Sequence, residues 1–168
     1  MDLTAFFKMS YGLYVVSAAD AGERAGCLIN TATQVTSSPM QIMVAVNKDN
    51  VTAGVIERAG AFTVTVVDLS ADMPYLGNFG FRTSANYDKF EKYGCEVSEV
   101  GSPYSPEHIC ALAACKLVKT VDVGTHYLFI GEAVSAEKVG DGEPMTYSYY
   151  HSTLKGKTPP KASSYVAE

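Results

Sequence analysis

What most constrains this chain is a succession of β-rich runs interrupted only by short helical stretches. Residues 11–18, 26–33, 40–46, 61–67, 109–118, 125–134 and 145–150 are rich in Val, Ile, Thr, Tyr and small apolar residues, bounded by polar or Gly/Pro punctuation. Several runs lack clean apolar–polar alternation, which fits strands covered on both faces, as in a barrel packed against a partner subunit. There is no β-α-β alternation and no Gly-x-Gly-x-x-Gly, so a Rossmann domain is excluded. A nucleotide would have to be held in some other way.

Short helices interrupt the strands. Asn50 can cap one over 51–59, with Val51, Val55, Ile56 and Ala59 as its apolar stripe and Gly60 ending it. Asn86 can cap a second over 87–93, stopped by Gly94, and a turn or short helix is expected around 72–78. Prolines in Lys155-Gly-Lys-Thr-Pro-Pro-Lys-Ala preclude regular structure there, so residues from about 153 onward are expected to form an extended arm on the surface or on a partner. No repeat, low-complexity tract or linker divides the chain, and residues 1–168 read as a single domain.

Charge and cysteine usage narrow the function classes. The net charge of -5 gives a polyanion nothing to gain from the overall field, so no nucleic-acid partner is expected. Lys155, Lys157 and Lys161 could attract a small phosphate only. No apolar run approaches the roughly 20 residues of a membrane helix. Cys27, Cys95, Cys110 and Cys115 form no C-x-x-C and no zinc spacing, and read as reduced, mostly buried thiols of a cytoplasmic protein. With no Gly-x-Ser-x-Gly, His-Glu-x-x-His or P-loop, redox chemistry would have to come from a bound organic cofactor.

Four segments could carry such a site. In the polar run at 30–39, Ala32 leaves room for a planar heterocycle along a strand edge, and Thr36, Ser37 and Ser38 could reach a ribityl chain or phosphate. The plainer alternative is a strand followed by a Ser/Thr turn. Asn47-Lys-Asp-Asn-Val-Thr opens the first helix, where free amides and the helix dipole favour an anion. Lys48 adds a charge there, and Asn50 and Thr52 add donors; a simple N-cap is the bland equivalent. The loop at 79–90 offers Arg82, Ser84 and Lys89 around stackable Phe79 and Phe81, or else ordinary core anchors. His126 follows Gly124 at the start of a strand, where it could contact a nicotinamide or serve only the core.

In this order the segments resemble the flavin reductase-like family, with its FMN-binding split barrel, and within it the archaeal ferric reductase branch and flavoredoxin-like proteins. The resemblance begins at Ser10-Tyr-Gly-Leu-Tyr-Val-Val and includes Asn30-Thr, Gln34, Thr36-Ser37, Val46-Asn47-Lys48 and Phe79-Gly-Phe-Arg. It ends with Asp122-Val-Gly-Thr-His, Gly131-Glu-Ala-Val and Lys155-Gly-Lys-Thr-Pro. It implies a mainly β, Greek-key split barrel with two or three short helices, assembled as a homodimer with one FMN per subunit near the dimer interface. By the same analogy Asn30, Thr31, Ala32 and Gln34 line the isoalloxazine. Residues 47–52 and Arg82, Ser84 and Lys89 serve ribityl and phosphate, and His126 approaches the nicotinamide. The archaeal branch has a cysteine where this chain has Ala45, which weakens a role in passing electrons to iron.

The expected activity is an oxidoreductase that takes hydride from NAD(P)H and passes electrons to free flavin, ferric iron or a small redox protein. Two alternatives stand beside it: an FMN electron carrier reduced by a protein partner without nicotinamide, and a cofactor-free split-barrel binding module.

Overall fold

The computed structural model describes residues 1–165. After a 3-10 helix at Leu3–Lys8, the strands β1 Tyr14–Asp20, β2 Glu23–Ile29, β3 Ala32–Ser37 and β4 Met40–Asn47 lead into helix α1, Val51–Ala59. Then come β5 Ala61–Val67, α2 Met73–Gly80, two-residue strands β6 Glu96–Val97 and β7 Pro103–Tyr104, β8 Ile109–Asp122, β9 His126–Lys138, and α3 Tyr147–Ser152. Seven strands form one antiparallel sheet in the order β2-β1-β5-β8-β9-β4-β3. This is the split-barrel architecture the sequence leads one to expect.

Local chemistry fixes the turns and caps. β1 and β2 join through Ala21-Gly22, both at positive φ, the two-residue turn whose twist suits paired strands. Asn50 caps α1 by accepting from the Thr52 amide at 3.1 Å, and Gly60 ends it in the left-handed region at φ 63, donating to Ile56 at 3.0 Å. Helix α1 turns Ala53, Val55 and Ile56 into the barrel core with Val16, Val44, Phe62, Cys115 and Phe129. Burying a side chain the size of Val55 or Ile56 contributes roughly 1.5–3 kcal/mol. A second core lies outside the barrel, where α2 and α3 bring Leu13, Tyr75, Phe79, Phe90 and Tyr150 together.

Three segments differ from expectation. No helix forms over 87–93, where side chains rather than a helical ladder take up the backbone groups. Asp88 instead accepts from the Phe90 amide at 3.0 Å, and the Asn78 side chain donates to the Lys89 carbonyl at 2.7 Å. The run at 145–150 stays extended only to Thr146, which bridges Gly12 and then caps α3 by accepting from the Tyr149 amide. The polar run after Asn30 is itself a strand, β3, an edge partner of β4 with a register shift between Gln34 and Thr36. Of the cysteines, Cys27, Cys110 and Cys115 are buried, Cys95 is exposed and all are free.

Gly131 of β9 is where two layers meet most closely. A Cβ there would stand 2.6 Å from the Phe62 ring and 2.8 Å from the Cys115 Cβ, in a buried position with no flexible neighbour to yield. Gly131→Ala should therefore destabilise the protein by about 1–3 kcal/mol. The urea midpoint should fall with its slope unchanged.

Candidate functional site

One end of the barrel gathers polar side chains through strand register. Asn47, the last residue of β4, pairs directly with His126, the first of β9, so both side chains leave the sheet on one face. Asn30 sits in the break between β2 and β3, and the next residue, Thr31, accepts from the Ala45 amide at 3.1 Å, tying the break to β4. Phe81 and Arg82 arrive from the end of α2, Tyr147 and Tyr150 from α3, and residues 159–163 close the remaining side. Between them lies a cavity of about 370 Å³. Its deeper wall is apolar, with Leu13, Cys27 and Leu28.

The hydrogen bonds settle the form of His126, which is only 8% exposed. Its Nε2 faces the Lys161 carbonyl at 3.2 Å, and a carbonyl only accepts, so Nε2 carries the hydrogen. Nδ1 then accepts from the Thr125 hydroxyl at 2.9 Å. Burial pushes the His126 pKa down, with the Lys161 carbonyl pulling the other way. Asn47 Nδ2 donates to the same Lys161 oxygen at 3.2 Å, while its Oδ1 accepts from the Asp49 amide at 2.9 Å. Asn30 donates to Ser164 Oγ at 2.5 Å and accepts from Ser163 Oγ at 3.0 Å.

Arg82 lies over the Tyr87 ring, 4.4 Å from its centroid, and among the described residues no carboxylate pairs with it. An unpaired guanidinium at the mouth of a cavity is a ready anion contact. Burial pushes the Cys27 thiol up, partly offset by the Lys89 ammonium, so this cysteine is neutral wall material.

Asn30, Asn47, Asn50, Phe81, Arg82 and His126 thus come together around the cavity. Thr31 stands at its rim, 2.8 Å from Ser163 through their hydroxyls. The other sequence candidates lie elsewhere. Ala32 and Gln34 line an open groove on another face of the sheet, beside Tyr14, Val64 and Val66. Thr36 and Ser37 close β3, next to the turn into β4. Lys48 is bound to Asp122 at 2.5 Å and sits 4.9 Å from the Tyr127 centroid, outside the cavity. Thr52 is fully buried in the first turn of α1. Ser84 contacts the Gly26 backbone, and Lys89 is buried with Nζ donating to the Phe79 carbonyl at 3.0 Å.

Tyr147, Tyr150, Pro159, Lys161 and Ser163 line the cavity without having been singled out as site residues from sequence. A helical signal was present for the tyrosines: Thr146 is a preferred N-cap residue type, and Tyr147 and Tyr150, three apart, share one helical face. The arm gave no signal beyond its prolines and lysines.

Barrel, polar corner and aromatic flank define a split-barrel protein with a cavity of mixed polar and aromatic lining at one end of the sheet. The chain belongs to the flavin reductase-like domain family, whose profile matches residues 6–157. It is 45% identical over 165 residues to a ferric-chelate reductase (NAD(P)H) of Archaeoglobus fulgidus, covering 98% of each chain. It is 38% identical over 166 residues to a high molecular weight rubredoxin of Moorella thermoacetica, covering 99% of this chain and 72% of that one. Among solved structures, the NADH:FAD oxidoreductase SgcE6 of Streptomyces globisporus superposes with a TM-score of 0.77, at 24% identity and 84% coverage of both chains, which speaks to the fold.

The depressed pKa of His126 has a signed consequence. Protonation costs the folded state more than the unfolded one, so stability is unaffected well above the ordinary histidine value of about 6.5 and declines as pH falls below it. His126→Gln should lose less stability than the wild type between about pH 7 and pH 5, measured by urea unfolding at each pH.

Proposed function

We propose that this chain is an FMN-dependent reductase that oxidises NAD(P)H and delivers the electrons to a small acceptor. The observation that carries this reading is the cavity itself. In a chain of the flavin reductase-like family, it joins an apolar wall, flanking aromatics, amide donors and an unpaired arginine in one space of about 370 Å³. That volume lies in the usual range for small-molecule sites.

The residues present fit a flavin mononucleotide. Arg82, with the amides at the N-terminus of α1 and the side chain of Asn50, would hold the phosphate. Phe81 and Tyr147 would flank the ring, and Asn30 and Thr31 would meet its polar edge, where hydrogen bonds favour the reduced form. The bound flavin supplies the two-electron redox chemistry between nicotinamide and acceptor. His126, neutral and with its hydrogen on Nε2, is suited to hold a carboxamide oxygen, and no acid–base pair is required of the chain. A cavity of this size, with Arg82 lacking a carboxylate partner among the described residues, supports FMN over FAD.

The open groove holding Ala32 and Gln34 supports a homodimer in which a second copy covers this half-apolar face. Analytical ultracentrifugation should then give twice the mass of the chain; a monomer at micromolar concentration would remove this part of the reading. The relative named for a ferric chelate makes a ferric chelate the first acceptor to try, followed by free flavin and a small redox protein.

Anaerobic titration of the FMN-loaded protein with NADH and NADPH tests the function. Bleaching of the yellow absorbance by either nucleotide is expected, and an unbleached flavin that a reduced protein partner can still reduce would make the chain an electron carrier instead. His126→Ala should slow bleaching without loss of bound FMN. Arg82→Ala should weaken FMN retention by about ten- to a hundredfold, as loss of a charge-assisted bond of about 1.5–3 kcal/mol implies, and most visibly at high salt.

A further inference from the structure

Polar groups that a ligand would need are already engaged by this chain's own last residues. From Gly156 onward the backbone leaves α3 and crosses the cavity mouth, with Pro159, Lys161 and Ser163 on its wall. The Lys161 carbonyl accepts from both Asn47 Nδ2 and His126 Nε2, each at 3.2 Å. Ser163 and Ser164 occupy both ends of the Asn30 amide.

The geometry points to an intramolecular competitor: we propose that the Lys161 carbonyl stands in the subsite for the carboxamide oxygen of nicotinamide, formed by Asn47 and His126, and that the segment 158–165 must leave before a reduced nicotinamide can bind. The chemical match is close. A backbone carbonyl is an amide oxygen, the same acceptor as the carboxamide oxygen, and two converging N–H donors serve either. Register fixes the donors independently of the segment, because Asn47 and His126 are paired across β4 and β9. The inference rests on the nicotinamide-dependent activity proposed above, and assigns Asn47 to the nicotinamide rather than to the ribityl chain.

The segment is built to detach and its root is not. Gly156 is buried, its amide bonded to the Tyr150 carbonyl at 3.0 Å, and a Cβ there would stand 2.0 Å from the Tyr150 ring. Lys155 before it holds a left-handed φ of 55. Beyond this anchor the segment has no strand or helix, and its internal backbone bonds are two tight turns, Ala162 to Pro159 and Tyr165 to Ala162. Pro160, Lys161, Ser163 and Tyr165 are exposed, so water can replace most of what holds them. The lysine side chain adds little, its Nζ lying 3.8 Å from the exposed Asp49 carboxylate. The family profile ends at residue 157, one residue before the segment begins.

Two measurements on the FMN-loaded full-length protein test this. In hydrogen exchange by mass spectrometry, saturating NAD+ or NADP+ should increase deuterium uptake in the peptide covering 157–165; unchanged or reduced uptake overturns the proposal. Pro159→Gly with Pro160→Gly loosens the path of the segment across the cavity mouth without touching Asn47 or His126, and should lower the KM for the reduced nicotinamide about three- to tenfold, because the closed fraction taxes binding less. A KM that stays the same or rises would make the segment a bystander or part of the binding surface, and overturns it. A fall in FMN content with that pair would mean the segment serves the flavin, and also overturns it. Failure of the nicotinamide reading itself is seen separately, as a wild-type flavin that neither nucleotide bleaches.

Discussion

The antiparallel register between β4 and β9 is the constraint on which the site depends. It sets Asn47 opposite His126 at the end of the sheet, and it is reached only because β8 and β9 form a long hairpin that shifts register twice, near Cys115 and near Lys119. Those irregularities let β9 pair with β8 on one side and β4 on the other while the sheet curls. A slip of one residue would turn His126 to the opposite face and leave the cavity without its imidazole. Phe129 buries into the barrel core from the same strand, so the hydrophobic packing that holds the fold also holds the register.

Charge is distributed to suit this corner. Several cations of the surface are answered locally: Lys48 by Asp122, Arg58 by Asp20 and Glu23, Arg24 by Asp88. These exposed pairs contribute little to stability. Arg82 stands apart, held over an aromatic face rather than by a carboxylate. Lys89 is another case again, a cation buried behind the cavity with a backbone carbonyl as its bonded partner and its pKa pushed down by burial. It orders the join between the end of α2 and the following loop.

Much of the barrel was legible because strands and turns carry local signals. Val/Ile/Thr runs and the Asn50 and Gly60 ends of α1 each have a mechanism confined to a few residues. The 87–93 segment misled because Asn86 and Gly94 are credible helix ends, whereas the structure there is tied to α2, with Lys89 reaching the Phe79 carbonyl and Asn78 the Lys89 carbonyl. Asn30, Asn47 and His126 could be picked out by position next to strand ends, and the family resemblance placed them in one pattern. Which of the other polar residues share that corner depended on pairing between strands far apart in sequence. Local pattern does not encode such pairing, and so it could not separate Arg82 from Lys48 or place Ala32 on another face. Still less could it foresee that a proline-rich end would lie across the same chain's cavity.

The seating of Gly156 beneath Tyr150 has a consequence for concentration. A segment tethered a few residues from its contact is present there at an effective molarity on the order of millimolar, whatever the amount of protein. That value is fixed by covalent length and does not dilute. A freely diffusing molecule that contends for the same donors is therefore measured against an internal standard, and occupancy tracks its abundance in solution relative to that constant.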